Sequence, residues 1–114
     1  MSTGDTLYAL GHELVDSGRA SDALSVFRTM LLVVPDDERG YLGLGLAHEA
    51  LADTDAALSL YALAQTYRGS VRSAVLRARL LRRIGRDGDA DRVLAEAADL
   101  ATTEEEERLL GAAS

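Results

Sequence analysis

A repeat with a period of about 34 residues is the feature that most constrains the fold of this 114-residue chain. When the sequence is shifted by 34 positions, Gly11 falls on Gly45, Ala23 on Ala57, and Phe27 on Tyr61. A further shift of 33 positions brings Ala57 onto Ala90 and Tyr61 onto Leu94. Such self-similarity indicates a supersecondary unit that stacks on copies of itself to bury a continuous core.

The composition indicates that the repeated unit is helical. Ala and Leu account for 39 residues and Pro for only 1, which favours helices over strands. Small residues such as Gly11 and Ala23 then mark the points where two helices of a hairpin cross, because large side chains there would push the axes apart. Phe27 is expected to fill the space between neighbouring repeats. A generic helical bundle with accidental periodicity is the alternative.

The repeat resembles the tetratricopeptide (TPR) motif, a helix–turn–helix of 34 residues. The matching residues of repeat one are Leu7, Leu10, Gly11, Leu14, Ala23, Phe27, Met30 and Pro35, and those of repeat two are Tyr41, Leu44, Gly45, His48, Ala57, Tyr61 and Ala64. Repeat three is degraded, with Arg77 where Leu belongs. The resemblance implies an all-α protein, a right-handed superhelical stack of three helix hairpins. It predicts one domain over residues 1–114, with repeats at about 4–37, 38–70 and 71–101 and a capping helix at about 103–112.

Local signals place the ends of these helices. Gly18 and Gly85 are positioned to end the first helices of repeats one and three, as glycine C-caps. Ser21 is the expected N-cap of the second helix. Thr103 and Glu106 have the spacing of a capping box, which predicts that a short last helix begins there and covers the open end of the stack.

Charge is unevenly distributed along the chain, whose formal net charge is −7. Residues 68–92 hold eight Arg and three Asp, whereas the segments before and after them are acidic. An acidic protein disfavours binding to nucleic acid, because neutralising phosphates requires surplus Arg or Lys. An acidic chain with one basic segment instead suggests a protein partner that is met at a defined place.

Residues that carry chemistry are scarce, so we expect no enzyme, no metal and no cofactor. There is no Cys. The two His-Glu pairs, at His12 and His48, lack the second histidine of a zinc-binding H-E-x-x-H motif. Gly40, Gly43 and Gly45 follow no strand and have no Lys nearby, so close helix packing is favoured over a phosphate loop. Without an apolar run of membrane length or a signal-peptide core, a cytoplasmic protein that does not bind membranes is expected.

The TPR resemblance also implies which residues face a ligand, because the first helix of each repeat lines the concave groove of such a stack. It assigns to this groove Tyr8, His12, Arg39, Leu42, Leu46, Arg72, Val75, Arg79 and Arg82. The chain contains neither Lys nor Asn, which excludes the carboxylate clamp with which some TPR proteins hold chaperone C-termini. Apolar residues rimmed by Arg suit an extended peptide with apolar anchors and acidic neighbours. In the alternative, the residues from Arg77 to Arg86 form a solvated face paired with the nearby aspartates.

A closer resemblance rests on the segment Tyr41-Leu42-Gly43-Leu44-Gly45 and on the stretches at 7–10, 23–27 and 85–97. These segments are similar to class II chaperones of bacterial type III secretion, which hold hydrophobic translocator proteins in the cytoplasm before export. The resemblance implies a non-catalytic chaperone that binds an extended translocator segment in its groove. A generic bacterial TPR scaffold or adaptor is the alternative. The outer face of the first helix, with no helix before it, also predicts self-association into a homodimer.

Overall fold

The structure is a computed structural model that describes residues 1–68, 71–99, 101 and 103–113, with the side chains at 67 and 68 left aside. Within these residues the chain is all α-helical. The helices are α1 (Thr3–Asp16), α2 (Ala20–Val33), α3 (Arg39–Ala50), α4 (Thr54–Arg68), α5 (Val71–Arg83), α6 (Asp87–Ala98) and α7 (Glu104–Ala113). The expected helices are thus confirmed in number and order, with ends that differ by a few residues. The expected end of repeat two, at about residue 70, lies outside the described residues.

The chain divides into two compact units, Met1–Leu60 and Tyr61–Ser114, and α4 runs through the division. In the first unit, α1, α2 and α3 pack against one another around Phe27, which is fully buried. A Cβ atom placed on Gly11 or Gly43 would collide with the Phe27 ring. The glycines therefore let α1 and α3 approach the aromatic side chain on α2, which confirms their role in close packing.

The second unit buries Tyr61 of α4 and is aliphatic where its last three helices meet. In this unit α5 packs against α6 and α7, and the small residues Ala78 and Ala90 are fully buried. Leu94, at the repeat position of Phe27, is 7% exposed. Leu110 on α7 is buried as well, so the last helix covers part of α5 and α6 as expected. Where α5 packs against α6, the place of the Phe27 ring is thus taken by the smaller side chains of Leu94, Ala78 and Ala90.

The turns that follow α1, α3 and α5 have one geometry. Gly18 and Gly85 adopt positive φ angles of 80° and 83°, and Ala52 does so at 61°. In the residue after each of these positions, the backbone N–H donates a hydrogen bond to a carbonyl of the preceding helix, as from Arg19 to Leu14 at 2.7 Å. These are Schellman motifs, in which glycine is favoured because it has no Cβ. Ala52 is the repeat equivalent of the two glycines, so the middle turn bears backbone strain that the others avoid.

Two of the helix starts follow capping boxes. Thr103 accepts a hydrogen bond from the Glu106 N–H at 3.1 Å, which confirms the predicted box at α7. A second box at Ser2 and Asp5, which was not predicted, begins α1. The prediction of Ser21 as an N-cap is wrong. Helix α2 begins two residues earlier than a Ser21 cap implies, at Ala20, because Arg19 occupies the cap position and its side chain pairs with an aspartate of the first turn.

Candidate functional site

The residues assigned to the groove fall on three helices. The structure places Tyr8 and His12 on α1, and Arg39, Leu42 and Leu46 on α3, all in the first unit. The remaining residues, Arg72, Val75, Arg79 and Arg82, lie on α5 in the second unit.

Arg39 is the centre of an ionic network in the first unit. Its guanidinium lies 2.9 Å from an Asp5 carboxylate oxygen on α1 and 2.8 Å from one of Asp37, just before α3. Asp37 also accepts the backbone N–H of Arg39 at 3.0 Å, which satisfies a donor in the first turn of α3. Only 27% of the Arg39 side chain is exposed. The network therefore ties the starts of α1 and α3 together and neutralises the one basic side chain assigned to the groove in this unit.

The same contacts alter the pKa values of both carboxyl groups. Hydrogen bonds from the Arg39 side chain lower the pKa of Asp37. The pKa of Asp5 is lowered by the hydrogen bond from the Ser2 N–H and then by the bond from Arg39. Both aspartates favour the ionised form, which raises the pKa of Arg39 in turn, chiefly through Asp37.

Tyr8 forms the aromatic part of this surface. Its ring lies below the Arg39 guanidinium, with 5.5 Å between the guanidinium carbon and the ring centroid. The ring centroids of His12 and Phe27 are 5.8 Å and 6.0 Å away. Tyr8 is therefore fixed on three sides by a cation–π contact and two tilted ring contacts. His12 is itself exposed and hydrogen bonds Asp16 one turn further along α1, at 3.1 Å.

The structure corrects the assignment of two apolar residues. Leu42 is 0% exposed and Val75 is 3% exposed, so the expectation that these side chains offer surface to a ligand is wrong. The cause lies in their helices, which are buried on several sides. Gly40, Gly43 and Leu44 around Leu42 are buried as well, and a helix that is apolar around its circumference is an interior helix. Leu46, one turn after Leu42, remains partly exposed and is the apolar side chain of α3 that a partner can reach.

The arginines of α5 divide into paired and exposed ones. Arg82 lies 2.8 Å from Asp91 and donates to the Ala113 carbonyl at 3.2 Å, so it connects α5 to α6 and α7. Beyond the end of α5, Arg86 pairs with Asp89 at 2.7 Å and lowers its pKa. The solvated-face alternative thus accounts for this half of the basic segment. Arg72 and Arg79 are exposed, and neither has an ion pair within the described part of the chain.

The network of Arg39 was not predicted, although the sequence contains a signal for it. Asp5 and Arg39 are 34 positions apart, so they occupy the same position of adjacent repeats. First helices of adjacent repeats pack side by side, and opposite charges at one repeat position therefore tend to meet. The role of Asp37 depends on the loop conformation before α3, for which the sequence offers no such rule.

The described residues show neither a metal-binding cluster nor a helix that could span a membrane. No group of three or more His, Cys, Asp or Glu residues there could hold a metal ion. No described helix has the length and apolar character needed to cross a bilayer. The described contacts of His12 are those of a helix-surface pair with Asp16.

Solved structures similar to this chain are type III secretion chaperones and a TPR protein. PcrH of Pseudomonas aeruginosa, in complex with the chaperone binding region of PopB, has a TM-score of 0.80 and 26% identity, over 99% of this chain and 94% of that one. The translocator chaperone SycD of Yersinia enterocolitica has a TM-score of 0.83 and 27% identity, over 97% and 84% of the two chains. A TPR protein of Thermus thermophilus has a TM-score of 0.78 over 98% of this chain and 64% of its own, and at 22% identity it supports the fold alone.

Comparisons by sequence give no further relatives. No protein-family profile matches the chain, and no curated protein matches it significantly. The helix pairs, the repeat of small residues and the full-length similarity in structure agree with one another. The chain is therefore a tetratricopeptide-like helical-repeat protein that resembles the translocator chaperones of type III secretion.

Proposed function

We propose that this protein is a non-catalytic cytoplasmic chaperone that binds an extended segment of a secreted, translocator-like protein. The observation that carries the proposal is the similarity in structure, along nearly the whole chain, to PcrH in its complex with a PopB segment. A second complex, of PcrH with the chaperone binding region of PopD, matches 96% of this chain at 26% identity. The ligand of this chain is accordingly an apolar segment of a protein that awaits export.

Accessible side chains of α1, α3 and α5 are the proposed contacts. In the first unit these are Tyr8, which the Arg39 network holds in place, together with His12 and Leu46. A rigid aromatic ring and a partly exposed leucine are the residue types that anchor peptide ligands. Because Leu42 is buried, it supports α3 from inside and does not contact the ligand.

Capture from the native host tests this function. The tagged protein is expected to retain a secreted protein with long apolar segments, identified by mass spectrometry. Leu46→Asp should abolish this capture while the helical circular dichroism signal stays intact, since truncation of an interface anchor typically costs about 2 kcal/mol or more. Leu32→Asp is the matched control, because Leu32 is on α2 of the same unit and is 84% exposed.

The outcomes separate the chaperone from the adaptor. If Leu46→Asp loses capture and Leu32→Asp retains it, the partner binds on the first helix of each helix pair. Loss in Leu32→Asp alone favours an adaptor that meets its partner on α2, and the chaperone proposal is then wrong.

Self-association is proposed for the surface of α1. Only the glycines Gly4 and Gly11 are buried on this helix, while Leu10 is 48% exposed. A second copy that packs on this face would cover Leu10, as terminal repeats need a cap. Sedimentation velocity should detect a dimer at micromolar concentration, and Leu10→Glu should return it to a monomer. A wild-type protein that remains monomeric at high concentration would contradict this arrangement.

A further inference from the structure

Helix α5 presents a narrow basic stripe, which we define as Arg72, Leu76 and Arg79. Positions i, i+4 and i+7 of a helix share one face. Both arginines of the stripe are exposed and Leu76 is partly exposed between them. α5 contains five Arg and no acidic residue, so no carboxylate of its own helix neutralises the stripe.

The contacts of Arg82 and the burial of Arg77 distinguish these two arginines of α5 from the stripe. Arg82 is held by Asp91 and by the Ala113 carbonyl, and Arg77 is partly buried beside Glu96 in a shallow cleft of about 370 Å³. Arg82 therefore serves contacts within the second unit, and Arg77 lines a cleft of that unit. The two arginines of the stripe are available to a group outside the unit. Because such a group must complement two arginines around a leucine, we expect an acidic ligand with an apolar centre.

The spacing of the stripe sets the spacing of its ligand. Arg72 and Arg79 are about 10.5 Å apart along the helix axis, at a rise of about 1.5 Å per residue. An extended chain advances about 3.3 Å per residue, so this distance corresponds to roughly three residues. We infer that the α5 stripe binds an extended partner segment in which two acidic residues, about three positions apart, flank an apolar residue that packs on Leu76.

A protein ligand fits this surface better than a nucleic acid. The chain as a whole has a net charge of −7, which repels a continuous phosphate backbone beyond the two arginines. Sequence-independent binding of RNA would need many more phosphate contacts than the stripe offers. A segment with two carboxylates needs only the stripe itself.

The inference rests on the proposed function, since the acidic segment belongs to the same exported partner, and a peptide titration tests it separately. A fluorescein-labelled peptide with two Glu around a Leu at this spacing is compared with the same peptide carrying Gln. By fluorescence anisotropy at low salt, the Glu peptide should bind wild-type protein about fivefold to tenfold more tightly, as expected for two exposed ion pairs. The preference should shrink at high salt, where exposed charges are screened.

Variants locate this preference on the stripe. Arg79→Gln should remove most of the preference for Glu over Gln. Arg28→Gln is the matched control, because Arg28 is exposed on α2 and its removal changes the net charge equally. It should leave the preference intact. Circular dichroism checks that both variants keep the wild-type helix content.

Three results would overturn the inference: equal binding of both peptides, a preference that survives in Arg79→Gln, or displacement of the Glu peptide by single-stranded RNA. Capture of the apolar partner from the native host is measured independently. If that capture persists while the peptide preference is absent, the stripe inference fails and the chaperone function stands. If capture itself fails, the function is at fault.

Discussion

The two units of this protein differ in how they hold the arginines assigned to the groove. In the first unit the helix that begins the chain, α1, has acidic residues and no arginine, and its carboxylate at Asp5 meets Arg39 of α3. In the second unit α5 has arginines and no acid, and it leaves Arg72 and Arg79 exposed. The first pair of repeats, which matches the repeat motif best, thus pairs the arginine assigned to the groove within the unit, while ten acidic residues against three Arg keep residues 1–60 acidic as a whole. The degraded third repeat, whose departures are arginines, presents charge to the outside.

The cores of the two units differ in parallel. An aromatic ring between two glycines occupies the centre of the first unit, whereas aliphatic side chains fill the packing of α5 with α6 in the second, whose buried Tyr61 lies on α4. A ring enclosed on both sides leaves no room for added atoms, because protein interiors are close-packed. The first unit should therefore respond most strongly to changes in packing, and the second to changes in surface charge.

The largest effect is expected for Gly43→Leu. The new side chain collides with the Phe27 ring, and overpacking typically costs 1–3 kcal/mol, while the better helix propensity of Leu returns a little under 1 kcal/mol. A net loss of about 1–2 kcal/mol should appear in urea unfolding followed by circular dichroism. Ala9→Leu, at an exposed position of α1, should change stability by less than about 0.5 kcal/mol. Equal effects of the two substitutions would contradict the packing of Phe27 described above.

The same unfolding curves test whether the chain is one domain. We propose that both units unfold together, because the continuous helix α4 belongs to both. Gly43→Leu should then lower the midpoint of the whole helical signal in one transition. Two separate transitions, with only one of them shifted, would show that the units unfold independently.

A smaller effect is expected for Asp37→Asn. The substitution weakens the salt bridge to Arg39 and should cost about 1 kcal/mol at neutral pH, as expected for a half-buried charged hydrogen bond. The lowered pKa of Asp37 means that its stabilisation is present above the ordinary carboxyl pKa, about 4, and is lost as the pH falls through the folded value. Wild-type stability should therefore decline below about pH 4, and the variant should decline less.

Asp22→Asn is the control for this prediction. Asp22 pairs with Arg19 at 2.8 Å, but both side chains are more than half exposed, so the change should cost little. If Asp37→Asn and Asp22→Asn have the same stability at pH 7 and the same acid profile, the Arg39 network contributes nothing.

The smallest effect is expected in the turn after α3. Ala52→Gly relieves the positive φ of 61° and should stabilise the protein by about 0.5 kcal/mol, because the relief outweighs the greater freedom of glycine in the unfolded chain. Gly18→Ala and Gly85→Ala should each lower the free energy of unfolding, by about 1 kcal/mol. Thermal melts of the three variants measure both directions, and a destabilised Ala52→Gly would contradict the common turn geometry.

The repeat pattern predicts the fold well because it records packing. Small residues at Gly11, Ala23 and Ala90 are needed wherever helices cross, and such needs recur in every repeat. The pattern predicts less about the candidate site, since exposure depends on what surrounds a helix. Leu42 and Leu46 have the same apolar character and are one turn apart, yet one is buried and the other is accessible. The contact of Arg39 with Asp37 and the partners of Arg82 likewise depend on neighbouring loops and helices that periodicity does not specify.

The location of the bound segment is the most direct test of this account, and the absence of native cysteine makes it measurable. Single-cysteine variants Leu46→Cys, Arg79→Cys and Leu32→Cys can each be alkylated at one defined place, with and without the captured partner. We predict that the partner slows alkylation at positions 46 and 79 and leaves position 32 unchanged. Slower alkylation at position 32, with positions 46 and 79 unaffected, would contradict binding on the first helices of the pairs.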